Sequence, residues 1–222
     1  MAAESGKTRV ACFVDGFNLY HAIDNLRDES GRRINHLKWL NLWSLASAFV
    51  TPQTQQLTAV YYFSAYATWL PEAYRRHRVY TSALESVGVT LTMGKFKEKR
   101  RECNSCGARW VAHEEKESDV NFAVELVRQA HTGTFDKALL ITADSDLCPA
   151  IRLIMESFPK LELQILTPPD SYDLAREFRE TVQTVRIKRK HLHRNQFPAE
   201  VTLANGTIML RPEKYDPPLG YV

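Results

Sequence analysis

The sequence predicts an α/β protein whose central, mainly parallel sheet is covered by helices on both faces. Three observations carry this expectation. Apolar runs of strand length alternate with helical patterns along most of the chain. Several of these runs are apolar throughout instead of at every second residue, as in strands buried on both faces. Two of them, ending at Val14 and Ala143, stop directly at aspartates, as strands do on entering a crevice.

Taken in order, Arg9 to Val14 is the first strand, and Asp15-Gly16 turns it into a helix in which Leu19, Ile23 and Leu26 recur at helical spacing. Leu37 to Val50 has helical character up to Thr51-Pro52, where the proline disfavours continuation. Leu57 to Ala65 is the second strand. A helix from Pro71 to about Val87 ends at Gly88 before a third strand, Val89 to Met93. The polar stretch from Lys95 to Lys116 is an inserted loop or small hairpin. After it, Val120, Ala123, Val124, Val127 and Ala130 mark one helical face. Lys137 to Ala143 is the most apolar strand. Helix Cys148 to Ser157, strand Leu161 to Leu166, helix Ser171 to Glu180 and strand Val182 to Ile187 complete the alternation. Beyond them lie a basic stretch, Arg186 to Arg194, and two β-like flanks around Asn205-Gly206 within Glu200 to Leu210, the signal of a hairpin.

With 222 residues and 44% hydrophobic content, one sizeable core and a small appendage are expected. Residues 1–190 form the main domain, with the insert at about 95–116, and 191–222 form a C-terminal extension. No stretch reaches the roughly 18 apolar residues of a bilayer span, and the start MAAESGKTR has no apolar centre, so a cytoplasmic protein with no membrane partner is expected. The four cysteines do not make a disulfide framework, since only Cys103 and Cys106 are close together. A net charge of +3 is too mild to identify a nucleic-acid partner, so the distribution of charge matters more than its sum.

The chemistry is expected at carboxylates. In a doubly wound sheet, residues just past the C-terminal strand ends share one crevice, and Asp15, Asp144 and Asp146 occupy such positions. Asp119, near the start of the helix after the insert, can face the same place. Taken singly, each is equally a helix N-cap. Together, four carboxylates repel unless cations neutralise them, which suits Mg²⁺ or Mn²⁺. Such a centre activates water for attack on a phosphodiester, and a carboxylate not engaged by metal accepts the proton. Asn18 sits one turn past Asp15, placed to bond a ligand carboxylate or a phosphate. A dinucleotide-binding domain would need a glycine-rich turn after the first strand, and only Gly16 is there.

At these residues the sequence resembles the NYN family of PIN-like nuclease domains, which includes the bacterial LabA-type proteins. The matching segments are Phe13 to Tyr20 (FVDGFNLY), Glu115 to Ala123 (EKESDVNFA) and Leu140 to Leu147 (LITADSDL), in the family's order. The resemblance implies a PIN-like three-layer α/β/α fold, Mg²⁺ or Mn²⁺ dependence and endonucleolytic cleavage of RNA. Carried over by position, it places the acidic ligands on Asp15, Asp119, Asp144 and Asp146, with Asn18 as polar helper and Ser118 and Ser145 at small or polar motif positions. Some PIN-like domains act instead as RNA-binding or assembly modules, and a nuclease on DNA or small nucleotides is the other alternative.

Cys103-Asn-Ser-Cys106-Gly has the spacing of a zinc half-site. His113, a nearby glutamate or a residue from a second copy of the chain would complete it; free thiols are the alternative. Lys95, Lys97, Lys99, Arg100, Arg101 and Lys116 form a positive cluster suited to RNA phosphates, which Arg75, Arg76, Arg78 and the Arg186 to Arg194 stretch would extend. Tyr66 and Trp69, beyond the second strand, are placed to stack on unpaired bases. A homodimer or a regulatory protein partner is left open.

Overall fold

The computed structural model describes residues 6–173 and 175–218. The first five residues of the amino-terminal stretch, and Leu174 of the Ser171 to Glu180 helix expected from the sequence, lie outside the described residues. β1 (Thr8–Asp15) leads into α1 (Gly16–Asp24), a 3-10 turn (Asn35–Lys38) and α2 (Leu42–Ser47). β2 (Gln55–Ala65), α3 (Pro71–Ser86) and a long β3 (Val89–Glu102) follow, and β4 (Arg109–Lys116) returns to α4 (Ser118–His131). Then come β5 (Lys137–Ile141), α5 (Cys148–Ser157), β6 (Glu162–Thr167), α6 (Arg176–Arg179), β7 (Gln183–Arg186) and α7 (Arg189–Arg194). A hairpin of β8 (Glu200–Thr202) and β9 (Ile208–Leu210) and a 3-10 turn (Glu213–Tyr215) complete the described elements.

The seven-stranded sheet has the order β4-β3-β2-β1-β5-β6-β7. Every neighbouring pair is parallel except β3 with β4. β1 lies in the middle because it is apolar on both faces. Val10, Cys12 and Val14 join a core with α1, α2, α3 and the C-terminal extension, and Ala11 and Phe13 join a second core with α4, α5 and α6. The chain leaves β1 toward β2 on one side and later returns as β5 on the other. The order therefore reverses beside β1, where a crevice opens at the C-terminal strand ends.

Four expectations are corrected. Leu37 to Val50 is not one helix: its backbone is interrupted at residues 39–41, which pair with the C-terminal extension. Phe197 N donates to Trp39 O (3.0 Å), Asn41 N to Asn195 O (2.8 Å), and the Trp39 indole to Pro198 O (2.8 Å). The buried face of α4 is Phe122, Leu126 and Ala130, while Val120 and Val124 are 63% and 60% exposed. The cause is the first turn: with Asp119 turned to the crevice, positions three, seven and eleven residues later also turn inward. The third strand does not stop at Met93 but runs on to Glu102, pairing with β4 without a break in register, so the insert is an arm of the main sheet. Between Ser171 and Glu180, only Arg176–Arg179 is helical among the described residues. The C-terminal hairpin is present, with Gly206 at φ +81 in its loop.

Candidate active site

Asp15 ends β1 and is 5% exposed. The parallel register sets Val14 beside Ile141, so the next residues, Asp15 and Thr142, are neighbours at the two strand ends. One Asp15 oxygen accepts from the Asn18 amide (2.9 Å), capping α1, and the other accepts from the Thr142 hydroxyl (3.2 Å). Gly16 must follow, because a Cβ there would meet Phe63 O at 2.6 Å and the Tyr62 ring at 2.7 Å. Asp144 likewise caps its own turn, accepting from the Asp146 amide (3.0 Å), and its backbone N–H donates to Thr142 Oγ1 (3.0 Å). Capping and clustering thus coincide in the same aspartates.

Asp119 arrives from the other direction, in the first turn of α4. Glu117 precedes that helix with φ +82, a left-handed conformation that costs on the order of 1–3 kcal/mol for a residue with a side chain. The turn is held by Glu115, whose carboxylate accepts from the Ser118 amide (3.0 Å). It packs against Gly94, where a Cβ would stand 2.6 Å from Lys116 O.

The outcome is a group of three carboxylates, Asp15, Asp119 and Asp144, with oxygens all within 4.8 Å of one another. Burial pushes the Asp15 carboxyl up to about 7, with Asp119 and Asp144 adding to the rise and its two hydrogen bonds opposing it. Asp119 is also raised, by burial and then by Asp144, Glu115 and Asp146. Three oxygen donors gathered this closely are matched to a hard divalent cation. Asp146 is exposed and stands beside this group, not in it. Asn18 acts as a brace: its side-chain oxygen accepts from the Ala143 amide (2.9 Å), tying α1 to the end of β5.

The other expected site residues are distributed differently. Ser118 is buried, and its hydroxyl has no hydrogen-bond partner among the described residues, whereas Ser145 is exposed. Side chains alternate between faces along β3 and β4, and directly opposite residues share a face. Phe96, Glu115 and His113 line the cleft. Lys95, Lys97, Lys99, Arg101 and Lys116 therefore project from the opposite face of the arm, and Arg100 alone shares the cleft-facing side. Four of the five are in ion pairs, Lys95 with Glu117 and Lys99, Arg101 and Lys116 with Glu114.

Cys103 and Cys106 are free thiols at the tip of this arm. The tip is shaped by Gly107 N donating to Cys103 O (2.8 Å), and amides of Ser105 and Cys106 lower the Cys103 thiol. His113 does not complete a zinc set. It lies opposite Glu98, five residues or about 16 Å back along the strand, and stacks on Trp69 with ring centres 3.8 Å apart. Among the described residues no third cysteine, histidine or carboxylate joins the pair.

The carboxylates open into a cleft of about 790 Å³, walled by α1 and α3. Phe17, Phe96, Trp69 and His113 form an aromatic group near its acidic end, Phe96 meeting Phe17 and Trp69 edge-on. Tyr66 is occupied elsewhere, its hydroxyl bonded to Thr81 (2.8 Å). Sequence reasoning missed Glu115, Phe17, Phe96 and the whole C-terminal contribution, Tyr215. The strand alternation would have found Phe96 and Glu115 had β3 been extended past Met93; nothing local marks Tyr215.

A three-layer α/β/α domain gathering carboxylates at its strand-order reversal is a PIN-like nuclease fold with an acidic centre. Within that class the chain belongs to the NYN domain family, whose model matches residues 9–190. It is 23% identical, over an alignment of 226 residues, to the 6-hydroxy-3-succinoylpyridine 3-monooxygenase HspA of Pseudomonas putida (strain DSM 28022 / S16). That alignment covers 88% of this chain and 70% of the relative. The crystal structure of a protein of unknown function, VPA0982 from Vibrio parahaemolyticus RIMD 2210633, superposes with a TM-score of 0.53 at 17% identity. It covers 85% of this chain and 98% of its own, a likeness of fold. Among the described residues no helix is long and apolar enough to cross a membrane.

Proposed function

We propose that this protein is a divalent-metal-dependent endoribonuclease that hydrolyses phosphodiester bonds of unpaired RNA. The observation that carries the reading is the meeting of Asp15, Asp119 and Asp144, from three distant segments, within 4.8 Å. These three would hold Mg²⁺ or Mn²⁺, which supplies charge neutralisation and an activated water. Thr142 and the Asn18 amide fix Asp15 in place, and the Asn18 side chain holds β5 against α1. Asp146 and Glu115 stand next to the trio and are the carboxylates left to accept a proton from the attacking water. The group formed by Phe17, Phe96 and Trp69 suits stacking on bases, which favours a single-stranded substrate. RNA over DNA rests on the family resemblance. A zinc ion at Cys103 and Cys106 would need ligands from outside this arm.

The test is cleavage of a single-stranded RNA and a DNA of the same sequence by metal-stripped protein given Mg²⁺ or Mn²⁺, beside Asp144→Asn. Metal-dependent RNA cleavage lost in the variant supports the reading. RNA binding with no cleavage under either metal replaces it with a binding module. The aromatic lining also favours a second reading, oxidation of a small aromatic acid like the pyridine named for the Pseudomonas relative. Oxygen uptake with that pyridine and a two-electron reductant, without RNA cleavage, would establish it in place of the first.

A further inference from the structure

The cleft continues well past the carboxylates. α1 runs from Gly16 to Asp24, so the end marked by Asp24 lies about 13 Å from Asp15 at 1.5 Å per residue. Along that length Tyr215, from the C-terminal extension and 8% exposed, comes close enough to Tyr20, Arg76 and Asp24 for them to act on its hydroxyl. Tyr215 lies beyond the 9–190 segment that matches the family.

Of the basic groups along this cleft, Lys38, His77 and His113 are already paired or uncharged. Lys38 is buried, ion-paired to Asp24 and bonded to Asn35 (3.1 Å). Burial lowers His77 to about 4, so it is neutral near pH 7. His113 faces Glu98. Arg76 lines the cleft on the same α3 face as Ala73 and Tyr80, and among the described residues it is in no ion pair. Its guanidinium lies close enough to the Tyr215 hydroxyl to act on it, and burial keeps that hydroxyl's own proton on, available to donate onward. An unneutralised guanidinium and a buried phenol converge on the cleft, a donor pair matched to phosphate oxygens.

We propose that Arg76 and Tyr215 form an anion subsite that takes a second phosphate of the strand whose scissile phosphate lies at Asp15, Asp119 and Asp144. The inference rests on the nuclease reading. It makes the substrate a single strand laid along α1, and it makes the C-terminal extension part of the binding cleft.

Full-length protein, Arg76→Met, Arg76→Lys and Tyr215→Phe would be compared by binding of a labelled single-stranded oligoribonucleotide in chelator across a salt series. Turnover with Mn²⁺ would be followed on that oligonucleotide and on a dinucleotide carrying one phosphate, with thermal melts to confirm folding. Arg76→Met should weaken oligonucleotide binding about tenfold and reduce the salt slope by roughly 0.7, the value of one phosphate contact on a single strand. It should raise KM on the oligonucleotide and leave the dinucleotide unchanged. Arg76→Lys should recover part of the affinity, and Tyr215→Phe should lose several-fold. Unchanged binding and slope in a folded Arg76→Met, or equal losses on both substrates, overturns the subsite while nuclease activity stands. Arg76-dependent binding with no cleavage by the wild type sinks the nuclease reading and leaves the subsite in place.

Discussion

The Thr142 hydroxyl donates to Asp15 at 3.2 Å, and both residues are buried. That one hydrogen bond and the Asn18 amide oppose the burial of a charge that two further carboxylates also disfavour. The site is therefore strained toward protonation in the absence of a cation.

A pH dependence follows. The folded-state value of Asp15, about 7, lies above the roughly 3.9 of an unfolded chain, so the folded state holds this proton more tightly. Its stabilising contribution is full below pH ~4 and is lost as pH rises through ~7, a change on the order of 4 kcal/mol for this group. In chelator, urea midpoints should fall between pH 5 and pH 8, and Mg²⁺ or Mn²⁺ should restore the pH 8 value. Asp15→Asn should flatten the profile and melt higher than wild type at pH 8. A profile of equal slope in the variant would contradict the assignment.

Replacing the carboxylates one at a time should separate the trio from its neighbour. Asp15→Asn, Asp119→Asn and Asp144→Asn are expected to lose about 10²-fold or more in turnover, the scale of one catalytic group, with folding retained. Asp146→Asn, outside the trio, should lose less. Single-turnover cleavage with circular dichroism on each variant decides; a ranking with Asp146 worst would relocate the centre.

Gly94→Ala places a methyl group 2.6 Å from Lys116 O and 3.2 Å from both Glu115 Oε1 and Ser118 Oγ. Backbone cannot swing away as a side-chain tip can, so the root of β4 should shift and carry Asp119 with it. The expected cost is about 1–3 kcal/mol, together with reduced turnover. Denaturation and metal titration would measure both, and a silent substitution would show that the arm is not seated as described.

The two faces of α4 give a contrast within one helix. Phe122 packs on Phe63 with ring centres 5.0 Å apart, and Val124 is exposed. Phe122→Ala should cost about 3–5 kcal/mol, and Val124→Ala should stay within roughly 0.5 kcal/mol. Reversed magnitudes in urea melts would restore the helical face read from the valines.

The sequence by itself determined the alternating α/β architecture, the strand ends at Asp15 and before Asp144, and the candidate acidic set, because burial on both faces and strand-ending turns leave local patterns. Tertiary structure decided which of several apolar stripes faces inward. On α4 the exposed Val120 and Val124 are as apolar as the buried Phe122, Leu126 and Ala130, so composition alone does not fix the rotation. It also decided that Asp146 stands aside, that most of the basic cluster faces away from the cleft, and that residues 39–41 leave the helix to pair with residues 195–197. Each of these depends on which long-range partner a segment finds. Such pairings are set by the free energy of the assembled chain, so no local window contains them.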